Sequence, residues 1–183
     1  MYKRQQQQIT VWLLAATVLS IFLPNVVVVM ILVPVAVSML KFLAQTQITN
    51  NPIATPILLA LVWGAGFGGF GSPLGGASNL VAISYLEKLT GKEFMYIDWI
   101  IRFLPLLFII LLFILVFLLH LPMPVKHIEG GKEYFRSVYA KLGPMKRGEK
   151  LGLWLFVLAT LLAFVRPLYV SYLPLMKPCL LYT

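Results

Sequence analysis

Two short stretches hold the residues with chemistry to offer: Ser20 with Pro24-Asn25-Val26, and Gly75-Gly76-Ala77-Ser78-Asn79. Asn25 and Asn79 each carry donor and acceptor atoms on one side-chain amide. Pro24 and Pro73 each remove a backbone donor and interrupt a helix. Helical sequence resumes after Pro24 and after Ser78. Two helix N-termini would therefore point at one region, each carrying about +0.5 charge. Free amides of Asn25–Val26 and of Gly75–Ala77 would add further donors. Neither stretch contains Asp or Glu, so no fixed charge there opposes an anion or holds a cation. The chemistry is non-covalent anion binding.

Catalysis finds no support. The chain has no serine-hydrolase elbow, no H-E-x-x-H and no paired intramembrane carboxylates. Cys179 stands alone, which excludes an internal disulfide and offers no metal site. His120 and His127 lack a partner at metal-ligand spacing and read as an interface residue and a loop residue.

The second stretch ends a longer one, "WGAGFGGFGSPLGGASN", from Trp63 to Asn79, with seven glycines. Glycine costs about 1 kcal/mol in a helix interior relative to alanine, so the missing side chains are being used. Gly64, Gly68, Ser72 and Gly76 recur at the small-xxx-small spacing that lets helix backs approach in lipid. Beyond Pro73 the pattern predicts an unwound segment. Broken helices at bilayer depth need protein or a wet cavity around them, and in transporters such breaks hold the solute. A plainer reading is glycine for helix packing alone, with no solute. A third is a nucleotide site: Gly64, Gly66 and Gly69 fit G-x-G-x-x-G, with Glu87 downstream. That fingerprint needs a preceding strand, and the flanks "PILLALVW" and "LVAISYL" do not supply one.

Apolar residues make up 60% of the chain and charged ones 11%, against about 25% charged in soluble domains. Together with a mean hydropathy of +0.90, this predicts an all-α integral membrane protein. Its 183 residues allow about five or six crossing or re-entrant elements. A net charge of +9 fits basic cytoplasmic loops, and no nucleic-acid-binding module is present. The first apolar run leads into further spans, so it does not read as a signal peptide. Residues 1–5 (MYKRQ) and 179–183 (CLLYT) read as non-native ends of a fragment, with a partial transporter domain over 6–178.

In chain order, residues 9–44 predict a re-entrant helical hairpin. Ile9 to Leu23 would be about 22 Å long as a helix, short of a full span. Pro24-Asn25 forms the tip, and Pro34 would bend the second arm. The alternative is one long helix kinked at Pro24. Residues 52–90 predict a transmembrane helix broken in the glycine stretch, with Asn51-Pro52 at its start. Residues 98–120 predict a full span, capped by Asp98 and anchored at the interface by Trp99, with Arg102 its only charge within Ile100 to Leu119.

Residues 121–150 change character. Lys126, Lys132, Arg136, Lys141, Lys146, Arg147 and Lys150 stand against Glu129, Glu133 and Glu149. The positive-inside rule puts this connection in the cytoplasm, and by the parity of crossings the hairpin base with Lys41 too. Tyr134, Phe135, Val138 and Leu142 form a partial stripe suited to an amphipathic surface helix. Residues 151–170 predict the last span.

These features together resemble the divalent anion/sodium symporter family, which includes dicarboxylate, citrate and sulfate carriers. Its hairpin carries S-x-x-x-S-N-T, and its broken helix carries G-T-P-P-N. Here the matching residues are Ser20 with Pro24-Asn25-Val26, and Gly75-Gly76-Ala77-Ser78-Asn79; "LGPMKRGEK" from Leu142 to Lys150 also resembles the family's connection. Proline and valine replace a serine and a threonine at the tip. Glycine and alanine replace a threonine and a proline at the break.

The resemblance implies one half of an inverted-repeat transporter, the first of two repeats. It implies secondary transport of a small anion, a carboxylate or inorganic oxyanion, and no enzyme activity. It implies no cofactor beyond a coupling sodium ion, held by Ser20, Asn25 and Gly75. It further implies a homodimer when full length, in the plasma membrane and in contact with lipid. A non-transporting scaffold and an anion channel are the competing readings.

Overall fold

Proline and glycine set the helix boundaries in the computed structural model, which describes residues 2–44, 53–92, 94–121 and 131–169. Every regular element among them is helical: α1 Tyr2–Phe22, α2 Asn25–Ala44, α3 Ala54–Gly68, α4 Ala77–Thr90, α5 Tyr96–His120, α6 Gly131–Leu142 and α7 Arg147–Tyr169. Two 3-10 turns, Gly69–Gly71 and Pro73–Gly75, link α3 to α4. No strand precedes Gly64 among the described residues, so the nucleotide reading fails: these glycines lie in α3 and the turn after it. Three described stretches are long and apolar enough to cross a membrane, Asn25–Phe42, Ala54–Gly71 and Tyr96–His120. Gln6–Phe22 is a shorter apolar helix. Helix α1 begins inside the stretch read as non-native; residues 179–183 and the Asn51-Pro52 start lie outside the described residues.

The chain folds back at Pro24. Helix α1 stops at Phe22, and Asn25 opens α2 by accepting the Val26 N–H on its own Oδ1 at 2.8 Å. Trp12 lies 6.1 Å from the Phe135 ring, and Phe42 lies 5.3 Å from Tyr134. In one straight helix Trp12 and Phe42 would stand about 45 Å apart. Instead both meet adjacent residues of α6, which excludes a single long helix through Pro24. Pro34 lies within α2 without ending it.

Helices α1 and α3 run side by side in the same direction. Alanine-like smallness at α3 is what permits it: a Cβ on Gly64 would lie 2.5 Å from the Leu13 carbonyl oxygen, and one on Gly68 2.8 Å from the Thr17 Cα. This is the close approach expected of small-xxx-small spacing. Around it Ile9, Leu13 and Ala16 of α1 pack with Ile57, Ala60, Leu61 and Ala65 of α3. Val28, Ala36, Met39 and Leu40 of α2 and Ile114 and Leu118 of α5 complete the core. Helix α5 runs opposite to α3, with Trp99 against Phe70 at one end and Trp63 5.7 Å from Phe117 at the other. Since α1 and α3 are parallel and in register, the hairpin tip and the glycine break share one end of the pair.

The start of α5 differs from expectation. Met95, not Asp98, is the N-cap residue, and Asp98 sits at N3, where its carboxylate accepts the Met95 N–H at 3.3 Å. Trp99 is no interfacial anchor. It is 3% exposed, stacks on Phe103 with ring centroids 4.2 Å apart and donates its indole N–H to the Phe70 carbonyl.

Candidate functional site

Breaking a helix frees carbonyls that must find donors elsewhere. Here side chains supply them. Ser72 is extended (φ −148°, ψ 160°), and Pro73 begins the second 3-10 turn. The Ser72 hydroxyl donates to the Ile21 carbonyl at the end of α1 and accepts the Leu74 N–H at 3.2 Å. The Ser72 carbonyl accepts the Gly75 N–H at 3.3 Å and the Asn79 amide at 2.8 Å. The same Asn79 nitrogen donates to the Gly69 carbonyl at 2.7 Å. Ser20 donates to the Ala65 carbonyl at 2.6 Å, and the Trp99 indole to Phe70 at 2.9 Å. The break is thus held by Ser20, Ser72, Asn79 and Trp99.

At Gly75 the backbone of the break lies directly against the backbone of α1. A Cβ there would lie 2.7 Å from the Ser20 carbonyl oxygen and 2.7 Å from the Gly69 Cα. All its near neighbours are backbone atoms. Only glycine fits.

The structure brings some of the expected residues together and leaves others apart. Ser20, Gly75 and Asn79 are buried and joined through Gly69 and Ser72. Gly76 is half-buried and extended, and Ala77 and Ser78 are exposed at the start of α4. At the tip, Pro24 and Val26 are exposed and Asn25 is half-buried. Among the described residues no hydrogen bond joins Asn25 to Gly75–Asn79. The connection runs through Ser20 and Ile21, three to five residues before the tip.

What remains open at the two breaks is mostly backbone N–H. Asn79 donates its own N–H to the Gly76 carbonyl at 3.1 Å, which leaves Ala77 and Ser78 without helical acceptors, as at any helix start. Val27 is in the same position on α2. Both first turns carry the positive end of a helix dipole. The described residues hold no group of three His, Cys, Asp or Glu able to bind a metal. A cation here would meet only neutral oxygens.

Ser72 and Trp99 were not among the residues expected at the site. A Ser-Pro step is a legible turn signal for Ser72. Nothing in the sequence pairs Trp99 with a carbonyl 29 residues earlier.

A family profile described as citrate transporter matches residues 1–182. A sodium-dependent dicarboxylate transporter, SdcS, of Staphylococcus saprophyticus is 23% identical over 163 residues. The SdcS of Staphylococcus aureus is 25% identical over the same number. Each alignment covers 85% of this chain and 31% of the relative, so the chain spans under a third of their length. No solved structure matches.

Proposed function

The chain belongs to the citrate transporter family, and from that premise we propose that it forms the first repeat of a secondary transporter for a small carboxylate or inorganic oxyanion. One observation carries the reading. The end of α1, just before the hairpin tip, is hydrogen-bonded to the break between α3 and α4, and two helix N-termini start there with no carboxylate between them. The anion would meet the first-turn amides beyond Pro24, at Asn25 and Val27, since the Val26 N–H is held by Asn25 Oδ1, and those of Gly76, Ala77 and Ser78. The Asn79 amide nitrogen already donates to Gly69 and Ser72, so this side chain has only its oxygen left, an acceptor that suits the coupling cation rather than the anion.

Coupling is to a cation, with sodium favoured because the two relatives are named sodium-dependent. Ser20, Asn25 and the carbonyl of Gly75 are its ligands in this half. A hydroxyl that donates to a carbonyl, as Ser20 does, keeps its lone pairs for a cation. The protein is a plasma-membrane homodimer in this reading, and residues 121–150 face the cytoplasm.

The test is uptake of labelled succinate, citrate and sulfate by the full-length protein in proteoliposomes. At least one anion should accumulate under an inward sodium gradient. Asn25→Ala should raise the sodium concentration needed for half-maximal rate. Rates unchanged when choline replaces sodium, but lost with the proton gradient, would overturn sodium while leaving the anion site. No uptake under any gradient would favour a non-transporting scaffold.

Orientation has its own readout. A Ser137→Cys variant should resist membrane-impermeant thiol reagents in intact cells and react after permeabilisation. Ready labelling from outside would invert the topology.

A further inference from the structure

Helix α6 touches both arms of the hairpin at once. Phe135 packs on Trp12 of α1 and Tyr134 on Phe42 of α2, with the two rings of α6 themselves 5.4 Å apart. Yet its apolar arc is only partly covered. Phe135, Val138 and Tyr139 are 44%, 37% and 81% exposed, and at 3.6 residues per turn they share the arc that Tyr134 begins. Met145 beyond the helix is exposed too.

Cations edge this arc on both sides: at 100° per residue Arg136 falls beyond Tyr139, and Lys141 falls beside Tyr134. Arg136 and Lys141 on α6, and Lys146, Arg147 and Lys150 at the start of α7, are all exposed. The one described carboxylate beside them, Glu149, accepts the Lys146 backbone N–H at 2.9 Å. Among the described residues none of these five cations is paired with a carboxylate.

We propose that α6 and the turn into α7 form a binding surface for anionic phospholipid, seated against the hairpin base. A bare aromatic arc edged by unpaired cations, next to the apolar helix α7, fits the plane where headgroups meet acyl chains. An acidic soluble partner would neutralise the cations but leave Phe135, Val138 and Tyr139 in water. A leaflet rich in phosphatidylglycerol satisfies both the arc and the cations at its edges, and attraction to it adds with each basic residue near the surface. Because α6 bridges Trp12 and Phe42, lipid bound there bears directly on the hairpin.

The experiment places an environment-sensitive fluorophore at Tyr139→Cys in the full-length protein. The protein is reconstituted in phosphatidylcholine alone or with about a third phosphatidylglycerol, a strongly anionic surface. The expected result is a blue shift on adding phosphatidylglycerol, reversed by high salt as charge screening requires. The shift should vanish when Arg136, Lys141, Lys146, Arg147 and Lys150 are all changed to Gln. An emission indifferent to phosphatidylglycerol, or a neutralised variant that responds like the parent, would overturn the proposal. This readout needs no transport, so a protein that bound the lipid but moved no anion would sink the transport reading alone.

Discussion

Gly75→Ala is expected to disrupt the folded break, while Gly66→Ala leaves it intact. The two glycines lie nine residues apart in the same stretch, yet their surroundings differ completely. At Gly75 a methyl group would meet the Ser20 carbonyl oxygen and the Gly69 Cα, both at 2.7 Å. Backbone cannot rotate away as a flexible side chain does. Either α1 or the first 3-10 turn must shift, at about 1–3 kcal/mol or more. Around Gly66 nothing lies within 4 Å, so alanine there should stabilise α3 by up to about 1 kcal/mol. Thermal unfolding of the full-length protein in detergent reads both. Gly75→Ala should lower the midpoint or yield aggregate on size exclusion, and Gly66→Ala should hold or raise it. Equal behaviour of the two variants would refute the close approach of α1 to the break.

Asn79→Asp should be nearly as severe. The two side chains have the same shape, but aspartate loses both N–H donors and brings a negative oxygen towards the Gly69 and Ser72 carbonyls, which now accept at 2.7 and 2.8 Å. The Ser72 carbonyl keeps the Gly75 N–H, but a buried carbonyl that loses its donor costs about 1–3 kcal/mol, and the Gly69 carbonyl is the one that faces that loss. Charge repulsion adds to that. Asn79→Ala should lose the same two bonds without the repulsion and so fall between aspartate and the parent. The measurement is again the unfolding midpoint, with the apparent affinity for anion beside it. If Asn79 acted only as a ligand, Asn79→Asp would keep its midpoint and lose affinity alone.

Much of this arrangement was legible because proline and glycine act locally. Pro24 ends α1 within two residues, and Pro73 with its neighbouring glycines ends the α3 segment, because lost donors and absent side chains limit backbone geometry wherever they occur. The small-xxx-small spacing identified the face of α3 that meets α1, at Gly64 and Gly68. It stopped being informative at Ser72, where the chain turns extended. Gly76 is not pressed against α1, since a Cβ there would meet only Ser78 and Asn79.

Trp99 shows the limit from the other side. Beside Asp98 at the start of an apolar run it reads as an anchor in the headgroup region. Its burial depends on a carbonyl released by a break 29 residues earlier, and no local pattern encodes that partner. Asn79 was legible as a polar residue at a helix start, but its amide nitrogen is occupied in holding the break together. The sequence pattern locates such a residue without saying which of its atoms face a solute.

The central claim is that the hairpin tip and the glycine break serve one bound anion. Single cysteines at Val26 and Ala77 test it most directly, since both positions are exposed at the first turns of α2 and α4. In the reconstituted full-length protein, thiol modification rates at Val26→Cys and Ala77→Cys would be followed against rising citrate, succinate or sulfate. The account predicts that the transported anion slows both reactions, with the same half-protecting concentration at each site. Protection at one position alone, or at neither while uptake continues, would contradict it.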